Sequence, residues 1–165
     1  MDAIKMIKTR QSERKFLPYS VDLEVIEDLV DCGRLAPSAK NMQQLHFVVV
    51  DDREILNKFA EICPYGKFFA DCPIAVAVFS KQSDWMVEDA SAATENILLA
   101  SKAYGLGSCW VGSHKRPHAK EIEKLLSCPK DNELVTLIAI GKVAEPTTRP
   151  QKKPLADVMS YNRFE

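Results

Sequence analysis

Apolar positions recur along this 165-residue chain with two different periods, and the alternation between them predicts the elements of a fold. Ile4 and Ile7, with Met6 beside them, give a short amphipathic turn of helix that runs out into a charged loop at residues 9–16. Leu23, Ile26, Leu29 and Val30 then return at helical spacing behind Asp22, a good N-cap, and stop at Gly33; this predicts a helix over residues 22–34. His46, Phe47, Val48, Val49 and Val50 form a β-branched run that reads as a buried strand. Asp51 and Asp52 close it and cap a helix over residues 53–62.

An unbroken apolar run follows Pro73 over residues 74–79 and predicts an interior strand. The longest helical pattern extends from Ser83 or Asp84 to Tyr104. Ala92, Ala93, Asn96, Ile97, Leu99, Ala100 and Ala103 put small or apolar side chains on most of its sides, as a central buried helix requires. Gly105 is placed for a left-handed cap, residues 108–112 resume an extended pattern, Pro117 fits the first turn of a helix to residue 126, and residues 134–140 make a last interior strand. Strands separated by helices predict a mixed sheet with helical layers, in a single domain over residues 1–165. From Val143 the character changes: Pro146, Pro150 and Pro154 stand among Arg149, Lys152 and Lys153, ahead of Leu155, Val158 and Met159. Such a tail either dangles or wraps around something.

Composition narrows the function. With 46% apolar residues the chain can bury a substantial core without disulfides or metal. A formal charge of −1 gives no long-range attraction for nucleic acid or an anionic membrane, so any anion must be gripped locally. Cys32, Cys63, Cys72, Cys109 and Cys128 are odd in number and form no C-x-x-C pair, which fits a reducing compartment. No apolar h-region opens the chain, and no later run reaches the roughly 18 uncharged residues of a membrane span; a cytoplasmic protein is expected.

Four segments carry candidate chemistry. Arg10, Gln11, Ser12, Glu13 and Arg14 place two guanidinium groups around a hydroxyl and a carboxamide, a set suited to phosphate, although a solvated loop has the same composition. Pro37, Ser38, Ala39, Lys40, Asn41, Met42 and Gln43 join helix to strand; the carboxamides of Asn41 and Gln43 can meet a uracil-like edge, and turn chemistry alone explains the run equally well. Residues 105–112 bring glycines to either side of Ser108, Cys109, Trp110 and Val111, where backbone can approach a ring, yet neither nucleotide-binding glycine fingerprint is present. The basic tail residues can close over a phosphate held by Arg10 and Arg14. Cys109 has no partner base nearby in sequence, His46, His114 and His118 lack metal-ligand spacing, and Glu88, Asp89 and Glu95 suit acid–base work or, equally, an exposed helix face.

Taken together, these segments resemble the FMN-dependent nitroreductase family, in that family's order and across nearly the whole chain. Residues 10–16 (RQSERKF) resemble its Arg-Arg-Ser-x-Arg-x-Phe loop, residues 36–45 (APSAKNMQQL) its Ala-Pro-Ser-x-x-Asn-x-Gln-Pro-Trp segment, and residues 96–112 its central dimer helix and ring-facing strand. The resemblance implies an α+β fold in which a central mixed, mainly antiparallel sheet is flanked by helices and a C-terminal arm is exchanged across a homodimer. It implies FMN bound by Arg10, Gln11, Ser12 and Arg14, by Cys109, Trp110, Val111 and Gly112, and by Arg149, Lys152 and Lys153 in the tail, with Gly141 and Lys142 near them. Pro37, Ser38, Ala39, Asn41 and Gln43 would come from the opposite subunit, and Lys67 would shape the substrate face.

Gln11 stands where the family has an arginine, so phosphate neutralisation would lean more on Arg10, Arg14 and the tail; Gln44 and Leu45 replace Pro-Trp at the pocket mouth; and the chain is short for the family, which implies an open, permissive pocket. The activity implied is hydride transfer from NADH or NADPH through FMN to a nitroaromatic, quinone or related electron-poor acceptor by ping-pong kinetics, with no catalytic side chain, metal, nucleic acid or membrane involved. The alternatives are a flavin store or sensor without turnover, a relative that uses another donor, and one that dehalogenates or cleaves flavin; a colourless structural adaptor is the remaining possibility.

Overall fold

The computed structural model describes residues 2–164; Met1 and Glu165, the two ends of the expected domain, lie outside them. Nine regular elements are laid down in the order α1 (Ala3–Thr9), α2 (Leu23–Arg34), β1 (Leu45–Val50), α3 (Arg53–Ile62), β2 (Ile74–Lys81), α4 (Met86–Ala103), β3 (Gly107–Gly112), α5 (Ala119–Leu125) and β4 (Asn132–Gly141) among the described residues. Short 3₁₀ turns occupy Ala39–Asn41, Lys67–Ala70 and Leu155–Asp157.

The strands form one sheet in the order β1-β2-β4-β3, and every neighbouring pair is antiparallel. The expectation of a mixed sheet is thereby corrected: among the described residues parallel pairing is confined to one bridge between Ser12 and Ser108. Val50 at the end of β1 lies opposite Ala75 at the start of β2, so the α3 excursion returns to the end of the sheet it left. A helical pattern does not reveal that return.

Alternation along β2 sends Ala75, Ala77 and Phe79 into one apolar cluster with Phe59 of α3 and Ile122 of α5, and Ile74, Val76 and Val78 into another with Leu29 of α2 and Ile97 of α4. Two helical layers thus sandwich the sheet. A bulge where Val78 pairs with Thr136 but Phe79 with Leu134 keeps Leu134 and Leu137 on the α3–α5 side. β1 departs from the buried strand expected of it. As an edge strand it leaves His46 and Val49 exposed.

Caps mostly follow the sequence. The Asp52 carboxylate accepts from the N–H groups of Glu54 and Ile55 at 2.8 and 3.0 Å, whereas Asp22 has cap backbone geometry but makes no side-chain bond. Gly105, at φ +73°, ends α4: its N–H reaches Lys102 and that of Leu106 reaches Ser101, a Schellman pair. Helix α4 begins at Met86 and α5 at Ala119, each slightly later than the pattern predicts.

Two regions stay uncovered. Helix α1 buries none of its residues, leaving Ile4 and Ile7 exposed, and residues 148–164 are exposed throughout, Leu155, Val158, Met159, Tyr161 and Phe164 included. No helix among the described residues is long and apolar enough to cross a membrane.

Candidate functional site

The loop after α1 is held to the sheet by its own backbone. Glu13 N–H donates to Ser108 O at 3.0 Å, Leu17 N–H to Lys142 O at 2.8 Å, and Lys15 O accepts from Ala144 N–H at 2.9 Å. Gly107 makes this approach possible, because a Cβ there would lie 2.4 Å from Val143 Cγ2 and 2.9 Å from Glu13 Cβ. Phe16 anchors the far end of the loop in the core. These bonds join residues far apart in the chain, and only the tertiary fold brings the loop and β3 together.

Glu13 is the buried group of this loop. Its carboxylate accepts from Thr147 N–H at 2.7 Å and from Gln11 Nε2 at 2.8 Å, and the same Gln11 amide donates to Thr147 O at 2.7 Å. Burial pushes the Glu13 carboxyl up, but the hydrogen bonds from Thr147 and Gln11, with Lys102 nearby, hold it below its ordinary value. Gln11, which stands where the resemblance has an arginine, is thus engaged in tying the loop to the tail.

β3 is an edge strand beyond that contact. Ser108 turns its carbonyl outward to Glu13, and by strand alternation Trp110 and Gly112 present their backbone groups along the same open edge. Beside it lies a cavity of about 800 Å³. Cys109, Trp110, Val111 and Gly112 form one wall, Cys63, Pro64, Tyr65 and Phe68 another, and Arg14, Arg116, Pro117 and His118 complete the rim. A Cβ at Gly112 would meet nothing within 4 Å, so the strand end is open to a ligand. No carboxylate lines the cavity, and the guanidinium of Arg14 has no ion-pair partner among the described residues.

The structure gathers five residues named from the sequence at this cavity, Arg14, Cys109, Trp110, Val111 and Gly112, and sets Ser12 beside them through its bridge to Ser108. Arg10 does not line the cavity; its Nε lies 3.1 Å from Glu95 on α4. Lys67 is exposed at the head of its 3₁₀ turn, one residue from Phe68 in the wall, and does not itself line the cavity. Arg149 donates to the Lys8 carbonyl at the end of α1, while Lys152 and Lys153 are exposed in the tail.

Residues 37–43 line no part of this cavity. The run leads into β1, at the opposite edge of the sheet from β3, three strand spacings or roughly 14 Å away. Its backbone is unusual: Lys40, Asn41 and Gln43 have φ of 52°, 55° and 51°, the left-handed region that costs non-glycine residues about 1–2 kcal/mol each. Two contacts hold it there. The buried carboxylate of Asp89 on α4 accepts from Ala39 N–H at 2.9 Å, and Ser38 Oγ accepts from Gln43 N–H at 3.3 Å. Strain held in place by surrounding structure is a mark of functional loops.

The cysteines are not poised as nucleophiles. Burial pushes the thiols of Cys63 and Cys72 up to about 11 and about 12. It also raises Cys109, more strongly than Arg14, Ser12 and Arg10 pull it down. No cluster of three or more metal-ligating side chains occurs among the described residues. Sequence reasoning missed Tyr65, Phe68, Arg116 and His118. In the sequence Pro117 signals only a helix start and His118 lacks metal-ligand spacing, so nothing local marks the Arg116-Pro117-His118 turn. Burial, followed by the Arg116 charge, holds the His118 imidazole below its ordinary value, and its Nε2 lies 3.1 Å from Ser113 Oγ.

The comparisons with known proteins agree with this architecture. The model of the nitroreductase family matches residues 7–66 and 64–142. A Methanothermobacter thermautotrophicus protein provisionally named NADH dehydrogenase/NAD(P)H nitroreductase is 38% identical over 156 residues, covering 90% of this chain and 82% of that one. Among solved structures, a Bacteroides thetaiotaomicron protein with the same provisional name superposes with a TM-score of 0.93 at 30% identity over 98% of both chains. An FMN-dependent nitroreductase from Clostridium difficile does so with a TM-score of 0.91 at 28% identity, over 98% of this chain and 99% of that one. Covered by the family model over most of its length, and sharing both sequence and fold with these relatives, the chain belongs to the nitroreductase family.

Proposed function

We propose that this chain is an FMN-dependent NAD(P)H oxidoreductase that reduces electron-poor acceptors such as nitroaromatics and quinones by a ping-pong mechanism, in a homodimer. The carrying observation is the cavity at the open edge of β3, with its apolar walls and, among the described residues, an Arg14 without an ion-pair partner and no carboxylate in the lining. A flat ring with one polar edge fits that lining, and the bare Gly112 leaves space where any side chain would stand. FMN, when bound, supplies the hydride chemistry.

The protein's part is to hold and orient. Trp110 and Gly112 would offer backbone N–H donors to the bound flavin, and Arg14 would set positive charge beside it to favour the reduced form. Arg10, Ser12 and the basic tail would hold the phosphate, with Arg10 exchanging its half-buried pair to Glu95 for the stronger anion. Gln11 contributes indirectly, through Glu13 and Thr147. The strained run at residues 37–43 is too far along the sheet to serve its own cavity and is read as a contribution to the partner's. The uncovered α1 and the apolar tail supply the surface for that partner, the tail wrapping around it.

For a nitroarene the balance is one nitro group, one NAD(P)H and one proton giving a nitroso group, NAD(P)⁺ and water. The test is the visible spectrum of the purified protein before and after anaerobic NADH or NADPH. Loss of the oxidised flavin bands, and their return on adding a quinone or nitroarene, is expected. Flavin that stays oxidised with both dinucleotides would overturn the activity, and a colourless protein that takes up no FMN would overturn the cofactor.

A further inference from the structure

Arg116 stands in the cavity rim with no part in holding the flavin, and its setting is rigid. The N–H groups of Ser113 and His114 both donate to Val135 O on β4, at 2.9 and 3.0 Å. Lys115 takes a left-handed φ of 54° to close the turn, and Arg116 N–H returns to Ser113 O at 3.0 Å. Ser113 itself is fully buried, and His118 on the far side of Pro117 lies against its hydroxyl. The backbone beneath Arg116 is therefore fixed before and after it. Its side chain is exposed on the cavity side and has no ion-pair partner among the described residues.

A guanidinium on a fixed turn, facing a cavity that no carboxylate of the described residues lines, is built for an anion. Arg14 shares the cavity but is committed to the cofactor in the reading above, so one cationic fork is left over for whatever stacks beside the aromatic wall of Tyr65 and Phe68. We propose that Arg116 makes this site selective for aromatic acceptors bearing a carboxylate or similar anionic group, such as nitrobenzoates and carboxylated quinones. The inference rests on the cavity being the site of reduction. The planar fork of arginine pairs both oxygens of a carboxylate at once, which an amide of the same shape cannot match. A 2′-phosphate of the donor NADPH presents the same anionic chemistry, and the experiment separates the two.

Benzoate and benzamide are titrated into the FMN-loaded protein by calorimetry. Separately, protein reduced with dithionite is mixed with 4-nitrobenzoate or 4-nitrobenzamide, each rate being divided by that for free reduced FMN. The wild type is expected to prefer the anion about ten-fold in both measurements, the scale of one hydrogen-bonded charge pair. Arg116→Ala brings both ratios close to one with the amide values little changed, and Arg116→Lys recovers part of the preference. A wild-type ratio near one, or a preference that survives Arg116→Ala, overturns the proposal. So does a variant that slows only reduction by NADPH, since the guanidinium would then serve the donor. Because dithionite replaces the dinucleotide, failure of NADH and NADPH to reduce the flavin would strike the proposed activity and leave this test standing.

Discussion

Replacing Glu13 by Gln is the sharpest probe of how the loop and tail are joined. The carboxylate takes two N–H donors, from Thr147 at 2.7 Å and Gln11 at 2.8 Å, in a site where it is only 9% exposed. A carboxamide of the same shape can accept one of them but turns its own NH₂ toward the other. Hydrogen bonds to a charged group contribute about 1.5–3 kcal/mol each, and an unpaired buried donor costs about 1–3 kcal/mol. We therefore expect Glu13→Gln to lose about 2 kcal/mol of unfolding free energy at pH 7. In urea this is a midpoint about 1 M lower, for a slope of about 2 kcal/mol per M.

The pH dependence has a definite sign. The carboxyl lies below its ordinary value of 4.5 in the folded protein, so its stabilisation is complete above that value and is lost as pH falls through the folded one. The gap between wild type and Glu13→Gln should be constant from pH 6 to 8 and narrow below pH 4.5, both proteins being compared at one protein concentration and one flavin loading. A gap under about 0.5 kcal/mol at pH 7, within the range of ordinary surface substitutions, would refute the reasoning, as would one that widens in acid.

Other perturbations follow from the same geometry. Arg10→Ala should weaken FMN binding by about 1.5–3 kcal/mol, and an unchanged flavin titration would remove Arg10 from the site. Gly107→Ala forces its Cβ to within 2.4 Å of Val143 and should lower stability by about 1–3 kcal/mol in a thermal melt; an unaltered melt would show that the loop packs less tightly than described. Truncation after Thr147 keeps the Glu13 contact and removes the exposed tail, so the shortened chain should fold but run as a monomer with little FMN in light scattering. A truncated dimer that still binds FMN would end the role given to the tail.

Much of the molecule was legible in its residues. The spacing of Leu23, Ile26 and Leu29 placed α2, the 74–79 run placed β2, and Gly105 ended the long helix as expected, because each signal is local and acts within one turn or one strand. Residues 10–14 and 109–112 declared themselves through residue types, arginines, a hydroxyl and glycines, whose chemistry suits a ligand without reference to the fold. Arg116 and His118 did not, since their meaning depends on a turn fastened to Val135, and nothing in the local sequence shows that the Gln11 amide binds Glu13 and Thr147.

The elements, their apolar faces and the residue types suited to a flavin are written in the chain, because propensity, capping and periodicity are properties of neighbours along it. Tertiary structure alone decided that every strand pair runs antiparallel, that β1 lies at an edge, and that residues 37–43 stand at the far side of the sheet from the cavity. Register and strand order are settled by which packing buries both faces of β2 and β4 at once, a condition that couples residues about a hundred positions apart and leaves no mark on any short stretch of sequence.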